Sequence, residues 1–448
     1  MKNNAKYLLL LIFLAVISFI VWDKSQSTSL NQVENKTFLK KIDKIYLEPA
    51  LDSQFKPHIK LFYEDNKVQY SLISDKNMAE MAIISQKDNF SLDKIEEITK
   101  NYHPTYIKKN YNTWEAETKT IYFYSKTANT HQKKLLDYLK HQTAKENWTM
   151  AAGGDIMLAR HVGKKMLEAS NWNLPFLKIK NLFYSADVAF ANLESPFAEG
   201  GQKIFEGMVF GADPKAVSGL KYAGFDVLSL ANNHFGNQGK KGMNYTMDFL
   251  TENQINYSGA GTNLTKARRP TLIDVNGSKI AFLSYEGVDS TPQNYVADAT
   301  SSGFAKWNLN TLALDIKNAK NEKAEFIIVS MHAGTEYKYL PRDDQKDFAR
   351  KTIDLGADLV IGHHPHRIQT FENYHGKMIF YSLGNLVFDQ MWSEQTKQGM
   401  VIKFEFVSNQ IKSFQIIPVY IENYQQPRFC SQNEAEQILN NILPDSKL

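Results

Sequence analysis

An α/β domain is what the sequence predicts for residues 148–427, and two observations predict it. Short apolar runs alternate with stretches whose apolar residues recur at helical spacing. The runs also stop at Gly, Asn or His, as strands buried on both faces do when they reach the edge of a sheet.

The predicted strands are residues 149–152, 188–191, 227–230, 280–284, 326–331, 359–361 and 378–382. The predicted helices between them include 161–169, 214–222, 242–253 and 345–355. Two alternating runs, 400–407 and 411–419, flank Ser408-Asn409 as a hairpin. A last helix is predicted over 433–443, inside a C-terminal helix and tail of residues 428–448.

Upstream, residues 25–147 read as a polar linker followed by a small α/β domain. Residues 59–63 and 120–124 are predicted strands, and 92–100 and 132–144 predicted helices. Its histidines, His58, His103, His131 and His141, are scattered among polar residues and form no constellation. Residues 1–24 read as a membrane anchor or signal segment, with a buried core helix as the bland alternative. Lys2 and Lys6 precede an uncharged run, 7–22, whose one polar residue is Ser18. The run is slightly short of the roughly 20 residues that span a bilayer and slightly long for a signal core. An uncleaved single-pass anchor and cleavage near Ser25-Gln26-Ser27 both stay open. The lysines favour an inside N-terminus, so everything after Lys24 is expected outside the membrane.

Composition narrows the function. The 448-residue chain is 43% apolar and 22% charged, ordinary for a protein with a real core. A net charge of +4 gives no reason to invoke nucleic acid. The single cysteine, Cys430, excludes an intramolecular disulfide, a Cys-based zinc cage and a lipobox anchor.

The chemistry lies where the strands stop. The runs lead in turn into Asp155, Asn192-Leu193-Glu194, Asn233-His234, His332, His363-His364-Pro365-His366 and Asn385. In an open α/β sheet the carboxyl ends of the strands form the ligand crevice. Each residue alone is explained by a turn or a cap, but six such ends together point to a metal site. Five of the eleven histidines fall at this edge, beside carboxylates and amides. Nitrogen and oxygen ligands without thiolate suit Mn²⁺, Zn²⁺ or Fe better than Ca²⁺. No P-loop, dinucleotide fingerprint or Gly-x-Ser-x-Gly elbow competes with this reading.

From Trp148 to about Pro427 the chain resembles the CapA family of capsule and poly-γ-glutamate synthesis proteins, within the metallophosphoesterase-like superfamily. The likeness rests on Gly154-Asp155-Ile156-Met157-Leu158-Ala159-Arg160, Asn192-Leu193-Glu194-Ser195-Pro196, Ala231-Asn232-Asn233-His234, His332-Ala333-Gly334-Thr335-Glu336-Tyr337, Gly362-His363-His364-Pro365-His366 and 381–389. It implies a four-layer αββα sandwich holding two divalent metals. Carried over, Asp155 binds the first metal and Glu194 bridges the two. Asn233 and His332 bind the second, and His364 and His366 complete the pair, one on each ion. His234 is the general acid or leaving-group helper, and Arg160, Glu336 and Tyr337 line the pocket and hold an anionic substrate. Met157 stands where many relatives have a histidine, and His161 is the residue expected to substitute for it. The implied activity is a cell-surface metal-dependent hydrolase or transferase acting on a phosphoester or anionic polymer. The alternative is a non-catalytic accessory subunit that binds or guides capsular polymer beside a membrane synthase.

Overall fold

The computed structural model describes residues 147–446 continuously, together with short stretches upstream within 45–125. The predicted segments 1–24, 59–63 and 132–144 lie outside the described residues. Among the described residues no helix is long and apolar enough to cross a membrane. The chain forms two compact units, one of residues 1–102 and 118–144, the other of 103–117 and 145–448. The second unit therefore also takes in residues upstream of 148.

The first unit contains a five-stranded sheet in the order Leu72–Ile73, Ile45–Leu47, Met81–Ile84, Lys119–Ser125, Asp93–Lys100. The helix predicted over 92–100 is a strand. Asp93–Lys100 pairs antiparallel with Lys119–Ser125, and its register shifts between Lys94 and Glu96. That bulge breaks the two-residue alternation, so Ile95 and Ile98, three apart, imitate helical spacing.

The second unit is built on two sheets. The larger has Trp148–Ile156 at its centre, with Val188–Leu193, Val227–Ser229 and Asn256–Ser258 parallel to one side. On the other side the hairpin Gln398–Val407 and Gln410–Glu422 runs antiparallel, followed by Thr113–Ala116 and Tyr106–Lys108. The smaller sheet places Ser278–Glu286, Phe326–His332, Leu359–His363 and Lys377–Phe380 side by side and parallel. Thr271–Val275 and Phe371–Tyr374 close its edges antiparallel.

The cores show how the layers stack. Met150, Ala152, Val188 and Phe190 of the larger sheet share one buried cluster with Phe282, Phe326, Ile328, Leu359 and Ile361 of the smaller. The sheets thus pack face to face. Phe190 and Phe282 stack across the gap with centroids 5.4 Å apart. The alternate residues Ala151, Ala189 and Ala191 face a second cluster with Val162, Met166, Leu220, Met243 and Leu250 from helices Arg160–Glu168, Val217–Ala223 and Gly239–Glu252. Ile327, Val329 and Val360 face a third, with Leu312, Ile316, Phe348 and Ile353 from helices Leu309–Asn321 and Asp343–Asp354. Helices therefore cover the outer face of each sheet.

One predicted strand end moves. The strand predicted over 378–382 stops at Phe380, and Asn385 begins a new strand, Asn385–Val387, parallel to Trp148–Ile156 with Asn385 opposite Asp155. The chain brings Asn385 to the site by re-entering the larger sheet.

Candidate metal centre

Strand parity aims the site residues. Side chains two apart share a face. Phe326 and Ile328 point between the sheets, so His332 does too; Leu359 and Ile361 do the same for His363, and Val188 and Phe190 for Asn192. Asp155 has the wrong parity relative to Met150 and Ala152. Its strand corrects this by a bulge: Ala152 sits opposite Phe190, but Asp155, not Gly154, sits opposite Asn192. The extra residue turns Asp155 inward. Gly154 permits it, since a Cβ there would lie 2.0 Å from the carbonyl oxygen of Gly384.

The result is a buried polar cluster between the sheets at their carboxyl ends. Asp155, Glu194 and His332 are buried and offer ligand atoms all within 4.8 Å of one another. His366 Nε2 lies 3.4 Å and His234 Nε2 3.9 Å from Glu194 Oε1. Asn233 Oδ1 is 2.8 Å from His332 Nε2. The His364 backbone N–H donates to Asp155 Oδ2 at 3.2 Å, and its ring centroid is 4.9 Å from that of His332. His364 and His366 have φ of +99° and +53°. Left-handed backbone at a non-glycine residue costs about 1–3 kcal/mol and gathers at functional sites.

Amide side chains orient the rings. The Asn237 Oδ1 atom accepts the Phe210 backbone N–H at 2.8 Å, so it also accepts from His234 Nδ1 at 2.9 Å. His234 Nε2 is left as a lone pair facing Glu194. Asn385 donates through Nδ2 to the Thr396 carbonyl, which turns its Oδ1 toward His366 Nδ1 at 2.9 Å. His366 Nε2 is thereby the ring nitrogen that gains or loses a proton beside Glu194. A second partner that fixes the tautomer is the usual support for a ligating histidine.

Electrostatics favour a cation. Burial pushes His332 well below its ordinary value, His364 to about 3 and His234 to about 4, so these rings are neutral and able to ligate. Burial alone raises Asp155, but the His363 and His366 rings close beside its carboxylate outweigh it and hold its carboxyl low. Burial likewise lowers His366, yet Glu194 and Asp155 outweigh it and raise the ring to about 9. Burial raises Glu194. The protein alone thus keeps a proton between Glu194 and His366. Glu194 Oε1, His364 Nδ1 and both ring nitrogens of His363 are buried without a hydrogen-bond partner. Buried acceptors left unpaired are costly, and divalent cations are what this donor set fits.

The remaining predicted residues take other positions. The Arg160 guanidinium is paired with Asp389 and donates to the Gly207 carbonyl, lying 4.7 Å from the Phe210 ring. Phe210 in turn stacks on His234 at 3.9 Å. Arg160 therefore walls the pocket with its charge already engaged. Glu336 is partly exposed, and its negative charge pushes Glu194 further up. Tyr337 is 6.2 Å from the His366 ring. His161 does not substitute for a histidine at position 157. It is turned to Asp389, 3.3 Å from Nδ1, and stacks on Tyr424. Met157 is buried in the apolar cluster beneath the helices.

Three contributors carry no assigned role in the sequence reading. Asn192 Nδ2 lies 2.8 Å from Asp155 Oδ1 and 3.2 Å from His332 Nδ1. His363 Nδ1 lies 3.4 Å from Asp155 Oδ1, and Asn385 holds His366. Strand parity was the signal for Asn192 and His363; for Asn385 it was only its place just after the predicted run 378–382.

The family model described as "Bacterial capsule synthesis protein PGA_cap" matches residues 149–390, over half of the chain. The "Capsule biosynthesis protein CapA" of Bacillus anthracis is 31% identical over 315 residues, 69% of this chain and 75% of that one. A "Probable polyglutamine synthesis accessory protein" of Mycobacterium tuberculosis (strain CDC 1551 / Oshkosh) is 26% identical over 318 residues, covering 66% and 83%. Among solved structures, the Haemophilus influenzae NAD nucleotidase aligns over 67% of this chain and 56% of its own at 11% identity, with a TM-score of 0.36. Matched over the segment that carries every residue of the buried cluster, this chain belongs to the bacterial capsule synthesis protein PGA_cap family.

Proposed function

We propose that the chain is a metal-dependent hydrolase or transferase of capsule or poly-γ-glutamate synthesis, working outside the membrane on a phosphoester or an anionic polymer. The observation that carries this is the inward convergence of Asp155, Glu194 and His332, with buried acceptors left unpaired around them. In a metallophosphoesterase-like arrangement Asp155 and His366 would hold one divalent ion, Asn233, His332 and His364 would hold the other, and Glu194 would serve both. Mn, Zn or Fe ions bound there supply a Lewis-acid clamp and an acidified water.

The chain's own residues do the rest. Asn237 keeps the His234 proton on Nδ1, so Nε2 accepts first. His234 thus enters the reaction as a base and becomes an acid toward the leaving group only after taking up a proton. Arg160 and Phe210 hold the imidazole in place from the opposite side. Anchoring through residues 1–24, with a membrane synthase as neighbour, belongs to the same proposal.

A second reading is a non-catalytic accessory subunit, favoured by the name of the mycobacterial relative. Metal analysis of the purified protein, followed by turnover of a model phosphodiester, separates the two. Asp155→Ala and His364→Ala are expected to lose metal while staying folded. Metal without turnover favours the accessory role, and unchanged metal content in both variants removes the metal centre altogether.

A further inference from the structure

A cavity of about 500 Å³ opens at the free edge of the two sheets, and the metal cluster uses none of its lining. Asn256–Ser258 is the last strand of the larger sheet and Thr271–Val275 of the smaller. Thr271 Oγ1 donates to the Tyr257 carbonyl at 2.6 Å, which ties the two edges together. Asp248, Asn256, Tyr257, Thr262, Lys266 and Arg269 are among the residues that line the cavity. A recess of this size suits a small organic molecule better than a lone ion.

Two glycines shape it. Gly259 has φ of +80°, and a Cβ on Gly261 would lie 2.3 Å from the Ala267 amide nitrogen. The chain can therefore leave the strand and fold tightly onto the short helix Leu264–Ala267. That turn brings Lys266, on the helix, and Arg269, just after it, to the cavity.

Charge decides what fits. Arg268, between them, is neutralised by Asp315 in a two-pronged fork of 2.8 and 2.9 Å. Lys266 and Arg269 are exposed and form no ion pair among the described residues. Two unpaired cations at one recess match a phosphomonoester, which carries about −1.5 to −2 charges. A guanidinium meets phosphate oxygens in a fork. A carboxylate works against a bare anion, however. Burial and then the charge of Asp248, on helix Gly239–Glu252, push the Tyr257 hydroxyl above its ordinary value, so Asp248 lies near that ring. Asp248 repels a phosphate set beside it but accepts from hydroxyls. Tyr257 is half-buried, packing on the apolar cluster beneath the helices while lining the cavity.

We propose that this cavity binds a sugar phosphate. Lys266 and Arg269 take the phosphate, Asp248 and Asn256 take sugar hydroxyls, and Tyr257 offers an apolar face to the C–H side of the ring. The site does not depend on the metal reading above, since its lining shares no residue with the buried cluster.

The test is calorimetric titration of the full chain with glucose 6-phosphate, inorganic phosphate and glucose. Glucose 6-phosphate is expected to bind more tightly than either part. It is expected to bind Asp155→Ala as it binds the wild type, which separates this site from the metal cluster. Lys266→Gln and Arg269→Gln each weaken it roughly tenfold. Asp248→Ala weakens glucose 6-phosphate but not inorganic phosphate. All three side chains are exposed, so unfolding midpoints do not move. No binding of glucose 6-phosphate overturns the site, as does binding lost in Asp155→Ala but kept in Lys266→Gln and Arg269→Gln. Equal affinity for phosphate and glucose 6-phosphate overturns the sugar-phosphate assignment. So does a nucleoside monophosphate that binds where the sugar phosphate does not.

Discussion

The space between the two sheets has an apolar middle and a polar end, built from the same strands with the same inward parity. In the middle, Phe190, Phe282, Ile328 and Ile361 close on one another. Two residues further along the corresponding strands stand Asn192, Ser284, Ser330 and His363, all buried. Apolar burial stabilises the middle at roughly 25 cal/mol per Å², whereas burying the polar end costs stability unless its groups are paired. One end of a continuous interior is therefore a core and the other a binding site, and only residue type distinguishes them.

The comparison breaks most visibly through the middle. Phe282→Ala is expected to lower stability by about 3–5 kcal/mol, read by chemical denaturation, with metal stoichiometry retained in the folded fraction. Loss of metal without loss of stability would mean that core and site are not separable. Gly154→Ala strikes the joint between them. A Cβ pressed on the Gly384 carbonyl forces the bulge to shift, at about 1–3 kcal/mol, and is expected to lower stability and metal content together. A variant with wild-type metal content would show that the bulge does not aim Asp155.

At the polar end, Asn385→Ala frees the His366 ring. It is expected to weaken metal binding about 10- to 100-fold with little change in unfolding midpoint. Taken over a single unit, the smallest effect is that of pH. His366, raised to about 9, and Glu194 hold a proton that a metal must displace. Affinity is then weakest at low pH, rises by up to about tenfold per unit as pH increases, and levels off above the His366 value. Titrations in buffers of different ionisation enthalpy report the released proton directly, and a pH-independent affinity would contradict the assignment.

The alternation of apolar runs and helical stretches was legible because buried strands and amphipathic helices leave strong periodic signals. Residues 92–100 misled because a bulge imitates a helical period. The ligand-type residues were legible at the strand ends because polar residues stand out there against apolar runs. Arg160 was legible as a pocket residue, but its pairing with Asp389, over two hundred positions away, was not.

The sequence by itself determined which strands carry Asp155, Glu194, His332, His364 and His366, since hydrophobic periodicity is a local property of the chain. Tertiary structure alone decided that a one-residue bulge turns Asp155 inward, that Asn385 returns beside it, and that His161 faces Asp389. These outcomes depend on register between strands distant in the chain, and register is settled by how two sheets close on each other.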